Sequence, residues 1–327
     1  MYESFYGLKQ NPFNVTPDPE FLYLGQKHRE ALAHLVYGVR EKKGFIVITG
    51  EVGTGKTTLI RCLLERLHNG NGTKAAFLFN PKLGATEFIQ YILKDLGLTI
   101  QGATKGDSLH TLNEYLLAAY EKGERVILIV DEAQALDPNV LEEIRLLSNL
   151  ETSKSKLLQI ILAGQPELDR TLSQSEFRQI RQRINMRYHL KALSEEETKE
   201  YIQKRLQIAG VKGRLFTQKA IKEVYRSSGG IPRLINILCD NSLLNGYSSD
   251  QRVIDTKLVK EAAKDLKLGR KLRISRLRVL FGVLTGACIL SILFLQESGL
   301  MRLVWGKILH CQALANSIWN WAQAVFN

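Results

Sequence analysis

The chain has 327 residues, an apolar fraction of 45% and a formal net charge of +12. That length accommodates two domains and an appendage, and the apolar share supports an ordinary buried core, which excludes both a disordered tail and a small stapled scaffold. Four widely separated cysteines, Cys62, Cys239, Cys288 and Cys311, show no CxxC spacing and indicate neither a zinc site nor a disulfide framework.

The N-terminus, Met1-Tyr2-Glu3-Ser4, lacks the basic patch, apolar run and small-residue cleavage site of a signal peptide, so the first two thirds are expected to stay where they are made. Residues 1–43 read as a lead-in and a helix. Phe5, Tyr6, Phe13 and Phe21 stand among Pro12, Pro17 and Pro19, which predicts an extended segment. Gln26 to Arg40 then reads as an amphipathic helix. Across residues 44–193, short apolar runs at Phe45 to Thr49, Ala75 to Phe79, Val126 to Val130 and Leu157 to Ala163 alternate with helical patterns. Those patterns cover Thr58 to His68, Thr86 to Leu96, Leu109 to Glu121 and Asn139 to Leu150. A last strand at Arg187 to Leu190 makes five. Strands alternating with helices predict an α/β fold with a parallel sheet.

Over residues 194–267 the strand signals stop. Glu195 to Ala209, Thr217 to Ser227, Ile231 to Tyr247 and Thr256 to Leu266 read as four helices of a separate all-helical domain. Ser194 with Glu197 three residues on forms a capping box at its start.

The positive charge clusters late. Lys264, Lys267, Arg270, Lys271, Arg273, Arg276 and Arg278 run through the basic linker 268–278 and just ahead of it, immediately before Val279 to Leu295, seventeen residues without a charge. Seventeen residues in a helix span roughly 26 Å, the short end of what crosses a bilayer. A buried core helix has the same length, but the basic cluster in front follows the positive-inside pattern and favours one transmembrane helix at 279–295 with the N-terminal bulk cytoplasmic. Residues 296–327 are too few for a core of their own and keep helical spacing of apolar positions. They read either as an interfacial helix with Trp305, Trp319 and Trp321 at headgroup depth or as a partner-binding helix.

The chemistry sits at the strand ends. Gly50, Gly53, Thr54, Gly55, Lys56, Thr57 and Thr58 lie in the run GEVGTGKTT, between an apolar strand and a helix. Glycines there let successive backbone N–H groups turn inward around a β-phosphate, Lys56 reaches the β/γ oxygens, and the Thr57 hydroxyl is offered to Mg²⁺. The run predicts binding of a nucleoside triphosphate. The strand RVILIVDE ends in two carboxylates, of which Asp131 is placed for the metal's water shell and Glu132 either to polarise an attacking water or as an N-terminal acid of the helix expected from Asn139. Gln165, at the end of the next strand, either senses the γ-phosphate or is a turn residue satisfied by backbone. Arg178, Arg181 and Arg183 lie just before the fifth strand, on a helix expected from Glu176 to Arg183. They are either a solvated basic face or the source of a guanidinium delivered in trans to a neighbour's phosphates. Arg233, in GGIPR, is expected to face the nucleotide from the helical domain, with Gly229, Gly230 and Pro232 fixing a tight start to its helix.

The phosphate loop, VDEAQ, ILAGQPEL, QIRQRI and GGIPR together resemble the AAA+ ATPases. The opening YESFYGLKQNPFNVTPDPEFLYLGQKHREALAHL resembles the secretion ATPases of the ExeA, or general secretion pathway protein A, group, with similar proteins in pilus biogenesis and exosortase-linked polysaccharide loci. The resemblance covers about residues 1 to 267. It implies an AAA+ P-loop ATPase core with an all-helical lid, ATP and Mg²⁺ as cofactors, and Lys56 and Thr57 at phosphate and metal. Asp131 and Glu132 become the acidic pair, Gln165 the first sensor and Arg233 the second. Arg183 is the closest match to the arginine finger, with Arg178 and Arg181 also in play.

The partners implied are further copies of the chain, supplying the finger in trans, and envelope secretion or pilus assembly proteins. The location implied is the bacterial inner membrane, single-pass. A cell-wall-binding role, carried in longer members by a periplasmic domain, is not expected from these residues. The alternative is a nucleic-acid-dependent ATPase similar to AAA+ transposition regulators. Against it, the densest basic block lies beside the apolar run and no recognition-helix segment follows the lid.

Overall fold

The computed structural model describes residues 1–16, 19–68, 72–79, 82–99, 104–153, 155–211 and 213–268. The expected membrane span Val279 to Leu295, the basic residues from Arg270 onward and the tail after the span lie outside them. Among the described residues no helix is long and apolar enough to cross a membrane.

The opening segment is not simply extended. One helical turn, α1 (Glu3–Tyr6), is closed by Gly7 at φ +67°, and a 3₁₀ turn forms at Pro19–Phe21. Their aromatic side chains have long-range partners that a local reading does not see. After α2 (Gln26–Arg40), β1 (Phe45–Gly50) leads into α3 (Lys56–His68), followed by β2 (Thr73–Leu78), α4 (Ala85–Asp95), α5 (Lys105–Glu121) and β3 (Arg125–Val130). Next come α6 (Pro138–Leu147), β4 (Leu158–Gly164), α7 (Pro166–Ser173), α8 (Arg178–Arg183) and β5 (Met186–Leu190). The helix expected from Glu176 begins as a 3₁₀ turn at Ser175–Phe177 and becomes α-helical only at Arg178.

The five strands form one sheet in the order β2-β3-β4-β1-β5, and every pairing is parallel. All six residues of β1 and all seven of β4 are buried, as a sheet covered on both faces requires. Alternation along β1 sends Phe45 and Val47 to a core shared with α4 to α8, and Ile46 and Ile48 to a core shared with α2 and α3. Because β1 is flanked by β4 and β5 while the chain runs on to β2, its C-terminal end is a switch point. Such crevices beyond the carboxyl ends of strands are where open α/β sheets bind ligands.

The lid consists of α9 (Glu195–Ile208), α10 (Gln218–Ser228), α11 (Pro232–Ser248) and α12 (Thr256–Asp265). The Ser194 capping box is formed on both sides, hydroxyl to the Glu197 N–H at 3.1 Å and carboxylate to the Ser194 N–H at 2.9 Å. The lid core is completed by the lead-in, since Tyr2, Leu8, Phe13 and Phe21 are buried with Tyr201, Ile202, Leu238 and Val259. Phe13 meets Phe216 edge to face at 6.1 Å, a favoured aromatic geometry. The first residues of the chain thus belong structurally to its last described domain.

Candidate nucleotide-binding site

β1 ends at Gly50, where a Cβ would lie 2.7 Å from the Leu190 carbonyl oxygen of β5, so only glycine fits that close approach. The loop then turns through Gly53 at φ +80° and Gly55 at φ +100°, and α3 starts at Lys56. The unpaired N–H groups of the first turn of α3 and its positive dipole end converge on the loop, which suits an anion. Thr54 is fully buried, its hydroxyl donating to the Glu51 carbonyl at 2.8 Å. Lys56 is 5% exposed and its Nζ donates to the carbonyls of Gly50 at 2.8 Å and Glu51 at 3.1 Å. Burial pulls its ammonium below the ordinary lysine value, while Glu132, Asp131 and Glu51 oppose that shift.

The expected metal pair is in contact. Thr57 Oγ1 donates to Asp131 Oδ2 at 2.5 Å, and the other Asp131 oxygen accepts the Glu132 N–H at 2.9 Å. Among the described residues no group of three or more His, Cys, Asp or Glu side chains could hold a metal ion. A hydroxyl beside one carboxylate instead matches a hard cation that keeps waters and takes its other ligands from phosphate oxygens.

Glu132 has left-handed backbone, φ +51° and ψ +36°, a conformation that costs a non-glycine residue of the order of 1 kcal/mol or more. Its carboxylate is held in return. Oε2 accepts from Gln134 Nε2 at 2.6 Å and from Gln165 Nε2 at 3.2 Å, and Gln134 Oε1 accepts the Gln165 N–H at 2.9 Å. Two amides therefore aim one carboxylate at the C-terminal edge of β3 and β4. Gln134 was not singled out from the sequence, although its place in VDEAQ, two residues after Glu132, is the signal that it is near.

The lid closes the other side. Gly230, at φ +76°, approaches Leu193 so closely that a Cβ would sit 2.0 Å from the Leu193 carbonyl oxygen. Pro232 is at the first turn of α11, and the Arg233 N–H donates to the Gly53 carbonyl at 3.3 Å. Arg233 is exposed and lines the same cleft as Lys56, Thr57, Thr58 and Glu132, a space of about 370 Å³. That volume is in the range of small-molecule sites.

Three further walls were not read from the sequence. Asn14, Val15 and Thr16 of the lead-in line the cleft, as do His28 of α2 and the lid residues Tyr201, Arg205 and Asn236. Arg205, 6% exposed, donates to the Pro12 carbonyl at 2.5 Å, the Tyr201 hydroxyl at 2.8 Å and the Asn14 carbonyl at 3.3 Å. Its guanidinium also lies 4.8 Å from the Phe21 ring centroid. A buried cation with neutral partners thereby ties the lead-in to the lid. His28 Nε2 is 2.8 Å from the Thr54 carbonyl, and burial pushes its imidazole below the ordinary value of 6.5.

The arginine cluster is elsewhere. Arg178 and Arg181 are exposed, and Arg183 lines a separate hollow of about 180 Å³ with Gly44, Phe45, Lys156, Leu158 and Asn185, at the N-terminal ends of β1 and β4. None of the three lines the cleft of the same chain.

Sheet order, helical lid and phosphate loop together define an AAA-type P-loop ATPase fold, and residues 39–172 match the model of the AAA domain family. Beyond the domain, 249 residues, 76% of the chain, are 46% identical to general secretion pathway protein A of Aeromonas hydrophila, of which they cover 45%. The chain therefore spans less than half the length of that curated relative. Among solved structures, the ORC2 protein of Aeropyrum pernix in its ADPNP-ADP complexes matches with a TM-score of 0.59 at 18% identity, over 78% of this chain and 71% of that one. Drosophila ORC bound to DNA matches with a TM-score of 0.60 at 18% identity, over 80% and 65%. At that identity the likeness is one of fold. Residues 39–172 thus carry an AAA domain, and the chain is homologous to general secretion pathway protein A over 76% of its length.

Proposed function

We propose that the chain is a membrane-tethered AAA+ ATPase that binds and hydrolyses Mg²⁺-ATP and helps assemble an envelope secretion, pilus or polysaccharide-export complex. The observation that carries the catalytic half is the arrangement at the strand ends: Thr57 on Asp131 at 2.5 Å, with the Glu132 carboxylate aimed by Gln134 and Gln165.

In this reading Gly50 to Thr58 hold the phosphates and Arg233 meets them from the lid. Mg²⁺ would be held by Thr57 and Asp131 and would neutralise charge on the phosphate oxygens. Glu132 takes a proton from water as it attacks the γ-phosphorus, and Gln165 fixes the direction of that carboxylate. Arg183, at the far end of the sheet, serves the site of a neighbouring copy, with Arg178 and Arg181 as the other sources of that guanidinium.

Tethering rests on the basic residues from Lys264 to Arg278 followed by the uncharged run Val279 to Leu295. The secretion role rests on likeness to general secretion pathway protein A. The direct test is Glu132→Gln. Nucleotide binding is expected to persist while phosphate release falls by about 10²-fold or more. Unchanged turnover would remove Glu132 from the mechanism.

A further inference from the structure

The first turn of α2 touches three parts of the molecule at once. Gln26 is at its start, and its N–H donates to Glu197 Oε1 at 2.6 Å, because the N-cap is Gly25 and offers no side chain. The second oxygen of the same carboxylate accepts the Ser194 N–H at 2.9 Å. One lid side chain therefore caps a helix of the core and a helix of the lid. Arg29 Nη1 donates to the Leu24 carbonyl at 2.6 Å, fastening the segment by which the lead-in reaches α2. There is no slack here, since a Cβ at Gly25 would fall 2.5 Å from Glu197 Oε1 and 3.1 Å from Leu193 Cδ2.

Between these two residues lies His28. It is 5% exposed, and Nε2 faces the Thr54 carbonyl at 2.8 Å. A carbonyl only accepts, so Nε2 carries the proton. Nδ1 is buried with no hydrogen-bond partner. An imidazolium would leave that N–H unsatisfied, so the ring is the neutral tautomer with its donor spent on the phosphate loop. The carbonyl it holds belongs to the residue between Gly53 and Gly55, whose backbone angles set the direction of the loop's N–H groups.

We propose that His28 is a positioning residue for the phosphate loop, and that the first turn of α2 transmits the state of the loop to the lid through Glu197. The chain crosses between core and lid at Leu24 to Gly25 and again at Leu190 to Ser194, and Glu197 joins the two crossings. A change in the loop displaces His28, His28 is rigidly part of the turn that begins at Gln26, and Gln26 pulls on the carboxylate that caps α9. Arg233 and Gly53 provide a contact from the lid tip; the route through His28 acts at the hinge. This inference rests on the nucleotide-binding reading above.

The test is amide hydrogen exchange on the full chain in detergent micelles, with and without Mg²⁺-AMP-PNP, for wild type, His28→Ala, His28→Gln and Glu197→Gln. In the wild type, the nucleotide is expected to protect both the loop 50–58 and the first turn of α9. His28→Ala is expected to weaken AMP-PNP binding roughly ten-fold, by leaving the buried Thr54 carbonyl unsatisfied. His28→Gln, whose amide can donate to the same oxygen, is expected to recover most of it. Glu197→Gln is expected to keep the loop protection and lose the response of α9. A His28→Ala variant that binds like wild type, a His28→Gln no better than alanine, or an undiminished α9 response in Glu197→Gln would each overturn the relay. No loop protection in the wild type would instead overturn the nucleotide reading, and the relay with it.

Discussion

Two adjacent glycines in the lid make the sharpest prediction. Gly229 and Gly230 both have left-handed backbone, at φ +63° and +76°, so alanine at either pays about 1–2 kcal/mol of backbone strain. They differ in what surrounds them. A Cβ at Gly229 meets nothing within 4 Å, whereas one at Gly230 falls 2.0 Å from the Leu193 carbonyl oxygen, which is backbone and cannot rotate away. A carbon needs about 3.3 Å from such an oxygen, so the two chains must separate by roughly 1.3 Å. That separation breaks the bond from the Leu193 N–H to the Gly230 carbonyl, now 2.9 Å long. Its loss is about 1 kcal/mol and overpacking adds about 1–3 kcal/mol.

Gly229→Ala should therefore cost about 1 kcal/mol after the gain from a less flexible unfolded chain, and Gly230→Ala about 3–5 kcal/mol. Function follows the same split. Arg233 is carried on the helix that starts two residues after Gly230, and its 3.3 Å bond to Gly53 has no length to spare. Gly230→Ala is expected to lower nucleotide affinity about ten-fold and Gly229→Ala to leave it within about two-fold. Urea unfolding followed by circular dichroism and titration with a fluorescent ATP analogue measure the two quantities. Equal costs for the two variants would refute the close-approach argument, and normal affinity in a destabilised Gly230→Ala would separate lid seating from binding.

Arg205→Leu should release the lead-in, because the Pro12 and Asn14 carbonyls lose a charged donor worth about 1.5–3 kcal/mol each; limited proteolysis ahead of Gln26 reports it, and resistance equal to wild type would count against the clamp. Lysine is expected not to restore it, since its point charge lacks the planar fork that reaches both carbonyls and the Tyr201 hydroxyl. For His28 the sign follows from burial, which lowers its pKa in the fold beneath the ordinary 6.5, with Glu197 and the Thr54 bond opposing the shift. Below that pH the unfolded chain takes up a proton that the folded chain resists, so stability falls as pH drops from about 7 toward 5. His28→Gln should flatten that slope in urea unfolding at a series of pH values, and an unaltered slope would assign it to other groups.

The sheet was legible because its strands are buried on both faces. Such strands appear as unbroken apolar runs, and Phe45 to Thr49 and Val126 to Val130 differ from the observed strands by one residue each. The phosphate loop and the acidic pair were legible for a related reason, since their chemistry is local and a few consecutive residues carry it. α7 was missed. A proline directly after a strand end fits a turn as well as a first helical turn, and only the packing of Leu168 and Leu172 decides for the helix. The lead-in was misjudged because Pro12, Pro17 and Pro19 do forbid a long helix, while nothing local says that Phe13 and Phe21 end up in the lid core. His28 on α2 and Arg205 on α9 look like an interfacial histidine and an ordinary surface arginine until the cleft brings them together from residues 177 apart in the chain.

The place of Arg183 carries the composite-site reading furthest. The phosphate loop leaves the C-terminal end of β1, and Arg183 lies with Gly44 and Phe45 at the N-terminal end of the same strand. Six residues of strand separate them, roughly 20 Å, across a sheet with packed cores on both faces. No rotamer of an arginine crosses that distance, and bending the strand would destroy the switch point that forms the cleft. If Arg183 stabilises charge on a transferring phosphoryl group, that group must therefore belong to a second copy, whose strand ends would lie against the base of this sheet. Head-to-tail contacts of that kind build rings or filaments rather than closed pairs. In the proposed mechanism the cleft that each chain forms with its own lead-in, α2 and lid would supply binding, orientation and the Glu132 carboxylate, and a second copy would supply the remaining charge.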